Sequence, residues 1–340
     1  MPPPFISTRT MVGLKGGLQQ VTSPQATLSA LSTEDLPAFA LDTTRAYIPQ
    51  LAQLRFFERS ASDIGVDNLG FVLAADADVR RYGLFGDYVT SAQTFHDALC
   101  LTRDMMVYHS SHDRMSLRRK GDILQLTYHS ALRHAPGYYH FATIAASSML
   151  SIAEPFFKRC YLRQIAFNFP RPRQTAPYET LFGCPVIFDQ PEFSILFDIE
   201  AAQQTLCKNP TRRVTAGDVM RDAMGPAPSD LVGSVEAILR ANISAAIGFD
   251  QVASQLDRSQ RSLRRRLDES GTNFRDLARK VRIDYARELL IEGELDVTEI
   301  SQHVGYSDPS HFGRAFRRLT GLSPSEMRGF GVSSKLAGNG

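Results

Sequence analysis

At 340 residues, 43% of them hydrophobic, the chain is long for one ordinary domain and sufficient for two buried cores. Its 38 Lys and Arg against 36 Asp and Glu leave a formal charge of +2, which excludes a globally basic coat for nucleic acid and allows only a local one. The four cysteines, Cys100, Cys160, Cys184 and Cys207, lie far apart with no C-x-x-C pair, which argues against a zinc site and a disulfide framework and for reduced thiols.

No stretch approaches the ~20 apolar residues of a membrane span, and Met1-Pro-Pro-Pro-Phe5 has no charged region leading into an apolar one. A cytoplasmic protein with no membrane partner is expected. Residues 1–25 mix Pro, Ser, Thr and Gly without periodicity, which predicts a flexible N-terminus. Between Val89 and Val107, residues Phe95, Leu99, Thr102 and Met106 fall at helical spacing. Met115–Leu117 and Leu124–Tyr128 alternate with period two around Lys120-Gly121-Asp122, so a hairpin follows the helix. The next helix is predicted from about Tyr138 to Arg159, with Phe141, Ile144, Ala145, Ser148, Ile152 and Phe156 on one face. Strands are expected at Ile165–Phe169, Pro185–Phe188 and Phe193–Phe197, making this part α+β. Gly225-Pro-Ala-Pro-Ser229 breaks helix and strand alike and places a boundary near 229. The expected division is 26–229, 230–332 and a disordered tail at 333–340.

Eight histidines raise the question of a metal. His109-x-x-His112-Asp113 would set two imidazoles on one helix face, with His129, His134 and His140 near in sequence. The segment precedes a strand, however, and no second ligand pair has metal spacing, so ordinary histidines are the better reading and no metal is assigned. No G-x-S-x-G elbow, P-loop or G-x-G-x-x-G occurs, so no catalytic residue and no cofactor is assigned either. Lys208, Arg212, Arg213 and Arg221 cluster before the boundary. They are a candidate grip for a phosphorylated or carboxylated effector, against the alternative of a solvated linker face. Arg118-Arg119-Lys120 at the hairpin tip reads as a solvated turn.

The last third is helical and locally basic: between Arg258 and Arg287 ten basic residues face four acidic ones. A helix from about Phe249 to Leu256 buries Val252, Ala253 and Leu256, Asp257-Arg258 turns, and Ser259 caps a second helix reaching about Glu269. Leu263 and Leu267, four apart, must face a core, so Gln260, Arg261, Arg264 and Arg265 point outward from the helix's N-terminal part. That is where a helix-turn-helix presents base-reading side chains, arginine suiting guanine and glutamine adenine. A second unit repeats the plan. Leu295–Ile300 opens a helix with Thr298 in its first turns, Gly305-Tyr306 bends, and Ser307 is the expected cap of a helix carrying Pro309 at its start. Phe312 and Phe316 form its buried stripe. Ser310, His311 and Arg314 face out, and Arg317 and Arg318 continue toward phosphates. Between the units, Leu277, Val281, Tyr285 and Leu289 mark one amphipathic helix from Phe274 to Leu290, with Arg282 a further phosphate contact. At ~1.5 Å per residue it spans about 25 Å, enough to hold two recognition helices about one DNA turn apart.

These residues resemble the AraC/XylS family of transcription regulators. Ile300, Gly305, Tyr306, Ser307, Ser310, Phe312, Arg314, Phe316, Gly321, Ser323, Pro324 and Arg328 stand where the family's signature has them. Leu256, Ser259, Arg261, Leu263, Arg265, Leu267 and Gly271-Thr-Asn-Phe274 match in the first unit. Pro309 replaces the Gln that most often precedes Ser310, which removes one base contact. The earlier part is similar to the OruR-like, arabinose-binding-type regulatory domain, through Tyr82–Tyr88, Gly121–Leu126 and Phe182–Phe188. The resemblance implies an α+β N-terminal regulatory domain followed by an all-α domain with two helix-turn-helix motifs joined by a linker helix. It implies a bacterial transcription regulator, an activator, that binds double-stranded DNA in the nucleoid, senses a small-molecule effector, forms a homodimer and contacts RNA polymerase. Two alternatives stay open: a ligand-independent regulator whose N-terminal domain only dimerises, and an enzymatic or metal-sensing domain with a DNA-binding tail.

Overall fold

The computed structural model describes residues 2–157, 159–207, 214–223, 225–243 and 247–329. The chain divides into one unit of Pro3–Ser229 and a second built from Asp230 onward.

The first unit opens with strand β1 (Phe5–Ser7), paired antiparallel with β2 (Tyr47–Pro49), so that Ile6 lies opposite Ile48. Between them run α1 (Arg9–Val12), α2 (Lys15–Val21) and α3 (Pro24–Thr33). Ser23 caps α3 by accepting the Ala26 N–H at 3.2 Å, with Pro24 at the first helical position. The flexible N-terminus expected over residues 1–25 is therefore corrected: Phe5, Ile6, Met11, Leu14 and Leu18 are all buried. Their backbone and apolar partners come from residues far along the chain, which a local pattern does not display.

Next come α4 (Gln50–Ile64), α5 (Leu69–Leu73), α6 (Leu84–Thr90) and α7 (Phe95–Asp104). The single helix expected between Val89 and Val107 is thus two, because Thr94 caps α7 by accepting from the Asp97 N–H at 3.1 Å. The hairpin forms as β3 (Arg114–Lys120) and β4 (Ile123–His129), turning at Gly121 with φ 62°. Helix α8 (Tyr138–Ser151) stops short of Arg159. Pro155 lacks an N–H, and its ring collides with the carbonyl a turn earlier, so the helix cannot run on. The remainder is β5 (Leu162–Ala166), α9 (Ala176–Phe182), β6 (Val186–Ile187), β7 (Phe193–Asp198) and α10 (Ala216–Ala223). β5 begins earlier than the expected Ile165 and gives way to irregular chain before Phe169.

The main sheet has the order β3-β4-β7-β5-β6, antiparallel except for the parallel β5–β6 pair. β4 and β7 lie inside it, and Leu124, Leu126, Phe193, Ile195 and Phe197 join Phe141, Ile144 and Met149 of α8 in one apolar core. Helices α4 and α5 pack against α8.

The second unit comprises α11 (Leu231–Ala241), α12 (Phe249–Gln255), α13 (Gln260–Glu269), α14 (Phe274–Glu292), α15 (Val297–His303) and α16 (Pro309–Thr320). Arg240 of α11 grips Glu288 of α14 with two hydrogen bonds, one at 3.1 Å and a shorter one, and lies 5.1 Å over the Tyr285 ring. Lys280 of α14 reaches back to Glu236 at 2.7 Å. α11 is thereby fastened along the long helix that both helix pairs share.

Candidate nucleic-acid interface

The two helix pairs, α12–α13 and α15–α16, bend in the same way. A residue in the left-handed region ends each first helix, Asp257 at φ 51° and Gly305 at φ 79°. The next N–H then bonds back, Arg258 to Ala253 O at 2.9 Å and Tyr306 to Ser301 O at 3.0 Å. One turn chemistry therefore sets the angle of both second helices.

In the first pair, Ser259 caps α13 by accepting the Ser262 N–H at 3.2 Å. Leu263 and Leu267 are 0% and 1% exposed. With that stripe buried, helical periodicity puts Gln260, Arg261, Arg264 and Arg265 on the open side, and all four are exposed. They line an open recess of ≈ 700 Å³ together with Ser259, Ser262 and Asp268. Arg264 lies 5.5 Å over the Phe249 ring, which holds its stem against α12. Arg265 stands 3.6 Å from Glu269, an exposed pair that costs little to break. Arg261 has no ion pair among the described residues.

In the second pair, α15 starts on a reciprocal cap: Asp296 accepts the Glu299 N–H at 2.7 Å, and Glu299 accepts the Asp296 N–H at 2.7 Å. The cap of α16 is Asp308 and not Ser307. Its carboxylate accepts the Ser310 N–H at 2.7 Å, and that bond holds the Asp308 carboxyl below its ordinary range. An aspartate directly before Pro309 satisfies the helix start better than a hydroxyl one residue earlier. Phe312 and Phe316 are fully buried, joined by Ile283, Ala286, Leu290, Ile300 and Val304. Ser310, His311, Arg314, Arg317 and Arg318 are exposed. His311 stands 3.7 Å from Asp308. Arg282 differs from them: it is half-buried on α14 with its guanidinium against Gly305, where a Cβ would meet it at 3.6 Å. Arg328 donates to Leu295 O and ties the end of the unit to the start of α15. The Asp296–Glu299 box was written in the sequence as D-x-x-E before an apolar run, and that signal was missed.

The family model described as the arabinose-binding domain of AraC transcription regulators matches residues 24–206, and a helix-turn-helix domain model matches residues 252–329. The chain belongs to the AraC family of transcription regulators. Within the family it is 29% identical over 168 residues to the ornithine utilization regulator of Pseudomonas aeruginosa, 48% of this chain and 50% of that one. It is 36% identical over 93 residues to the transcriptional activator RhaS of Escherichia coli O157:H7, 27% of this chain and 34% of that one. The matches thus span half or less of these relatives. Among solved structures, the regulator CdpR from Pseudomonas aeruginosa aligns over 89% of this chain and 96% of its own at 22% identity and TM-score 0.39.

The remaining candidates lie in the first unit of this AraC-family chain. Lys208, Arg212 and Arg213 fall outside the described residues. Arg221 is exposed on α10 and bonded to Asp218 at 2.6 Å. His109 and His112 do not share a helix face, since residues 109–113 are a non-helical segment joined to β1 by the Ile6–Ser110 bridge. His109 is buried and stacked on Tyr82 with ring planes 13° apart. His112 places its Nδ1 2.7 Å from the Ser111 hydroxyl.

Proposed function

We propose that this protein is a sequence-specific DNA-binding regulator of transcription, an activator, in which the first unit senses a small-molecule effector and sets how the second engages DNA. One observation carries the reading: α13 buries Leu263 and Leu267 while its opposite side exposes Gln260, Arg261, Arg264 and Arg265 along one open recess. Arg261 and Arg265 read bases, Gln260, Arg264, Ser310, His311 and Arg314 refine the readout, and Arg317 and Arg318 hold phosphates. Arg282 acts on a phosphate from the bend of the second pair that it braces. The 19 residues of α14 give about 28 Å. That length is suited to placing α13 and α16 in successive major grooves on one face of the duplex.

An effector acts only through different affinities for two states of the protein. We further propose a cytoplasmic homodimer that reaches the nucleoid through its DNA sites and contacts RNA polymerase there, and we assign the chain no reaction. The test is to select bound fragments from genomic DNA with the purified full chain, then footprint the enriched sites with and without a metabolite panel. A shared motif with protection over two consecutive major grooves is expected. Enrichment no better than for scrambled DNA at the same salt would sink the reading.

A further inference from the structure

The first unit carries an open cleft of ≈ 650 Å³ walled by the Asp67–Phe71 stretch, the segment from Arg133 into the first turn of α8, the irregular chain from Asn168 to Gln174 and the start of α9. That volume falls within the range of about 300–1,000 Å³ typical of small-molecule sites. Its floor is aromatic and fixed. Phe71 meets Tyr178 edge-on at 4.7 Å, and Phe169 lies 6.1 Å from Tyr178 and 6.3 Å from Tyr139. Asn68, only 2% exposed, locks the floor by donating to Thr143 Oγ1 and to the Tyr178 hydroxyl, both at 2.9 Å. Tyr138 donates to Asn168 Oδ1 at 2.9 Å. The floor needs no rearrangement to receive a flat or extended apolar body, so little ordering entropy opposes binding.

The rim is charged and incompletely paired. Arg59, Arg80, Arg81 and Arg163 of this unit each hold a carboxylate. Arg133 and Arg173, both exposed on the cleft, hold none among the described residues. Arg133 spends its Nε on His134 Nε2 at 3.0 Å, which leaves both of its terminal nitrogens available. Asp67 is the one carboxylate among the lining residues against the two arginines, so the carboxylate and guanidinium charges of the walls sum to +1. A dianionic phosphate exceeds that charge and an amine is repelled by it, whereas a monoanion matches it. Arginine forks suit a planar carboxylate.

We propose that this cleft binds a small organic monocarboxylate, its apolar body on the ring floor and its carboxylate held by Arg133 and Arg173. The proposal rests on the effector-sensing reading above and relocates the anion grip away from the Arg221 region. The test is calorimetric titration of the full chain with 3-phenylpropanoate and with octanoate, against neutral 3-phenylpropanamide, 3-phenylpropylamine and phenyl phosphate. Saturable binding of at least one carboxylate is expected, with the amide and amine roughly tenfold weaker. Arg133→Ala and Arg173→Ala should each weaken the carboxylate roughly tenfold, the worth of one charge-assisted hydrogen bond, while Arg221→Ala leaves it unchanged. Both arginines are exposed, so the variants keep the fold, which far-UV circular dichroism checks. Failure of both carboxylates to bind, a preference for phenyl phosphate, or binding indifferent to both arginines overturns the proposal. DNA affinity measured on the same samples separates the two ideas. Carboxylate bound at these arginines with DNA affinity unmoved removes the sensor and keeps the cleft. DNA affinity that some metabolite changes equally in wild type and both variants keeps the sensor and removes the cleft.

Discussion

Arg9 and Asp222 lie 213 residues apart in sequence and 3.2 Å apart in space. The Arg9 side chain is 0% exposed and that of Asp222 is 9% exposed. Arg9 also donates to Tyr108 O at 2.8 Å and sits 5.8 Å over the Phe85 ring, while Arg45 approaches the other Asp222 oxygen at 3.2 Å. The pair joins α1 near the start of the first unit to α10 near its end, and it makes the N-terminal helices part of the folded unit.

Removing only the carboxylate strands a guanidinium in the core. Asp222→Ala should therefore cost about 3–5 kcal/mol, read as a lowered urea midpoint for the first unit. The double change Arg9→Met with Asp222→Leu should recover much of that loss, because it removes both buried charges together. An unshifted midpoint in the single variant would mean that water replaces Asp222 and the pair is dispensable.

Acid should loosen the same unit. Burial, with Arg9 nearby, pushes the His109 imidazole down to about 3, and burial pushes His140 down to about 4. Unfolded histidine protonates near ~6.5. Both folded pKa values are depressed, so the stability they contribute is present above ~6.5 and is lost as pH falls from there toward 3–4. Between pH 7 and 5 the loss should be about 2 kcal/mol for each histidine. Asp113 works in the opposite sense: burial raises its carboxyl, so its contribution is present at low pH and is lost as pH rises through its folded value. His109→Phe keeps a ring against Tyr82 and should flatten the fall in urea midpoint between pH 7 and 5. An equally steep fall would assign the acid sensitivity elsewhere.

Two glycines with nearly the same backbone should respond differently to alanine. Gly137, before α8, has φ +79°, and a Cβ there would stand 2.0 Å from Leu54 O. Gly65, after α4, has φ +78°, and a Cβ there would meet nothing within 4 Å among the described residues. Gly65→Ala should cost about 1 kcal/mol for the left-handed conformation alone. Gly137→Ala adds a collision with backbone and should cost more than ~3 kcal/mol. Similar melting temperatures for the two variants would show that α4 and α8 can part without penalty.

Where signals were local, they could be read. Period-two alternation around Gly121 located the β3–β4 hairpin, and Leu263 with Leu267 told which side of α13 is buried. Where partners were distant, they could not be read. Residues 5–21 read as a flexible tail because their apolar positions fall at no regular spacing, and it takes β2, the Tyr108–Ser111 stretch and Asp222, all distant in sequence, to make sense of Phe5, Ile6 and Arg9. The ring-floored cleft was equally hidden. Asn68, Arg133, Tyr138, Phe169 and Arg173 come from three separate stretches, each ordinary in composition, whereas Lys208, Arg212, Arg213 and Arg221 stand out in the sequence because they lie within 14 positions of one another. The shift of the α16 cap to Asp308 belongs to a smaller class, since Ser307 and Asp308 are both good caps and geometry decides between neighbours.

The DNA assignments make opposite forecasts for two exposed arginines. Arg265 lies on the recess of α13, and its one ionic neighbour among the described residues, Glu269, is exposed at 3.6 Å, so the guanidinium can leave it for a base edge at small cost. Arg317 lies in the last turn of α16, past the part of a recognition helix that enters the groove. Arg265→Ala should cost roughly 1–3 kcal/mol on the selected site and much less on scrambled DNA, compressing the ratio between them. Arg317→Ala should weaken both DNAs alike and lower the slope of log affinity against log salt by about one ion. Fluorescence anisotropy across a potassium chloride series reads both quantities in one experiment. Equal losses on both DNAs for Arg265→Ala would move it from base reading to phosphate contact, and an unchanged salt slope for Arg317→Ala would take it off the DNA.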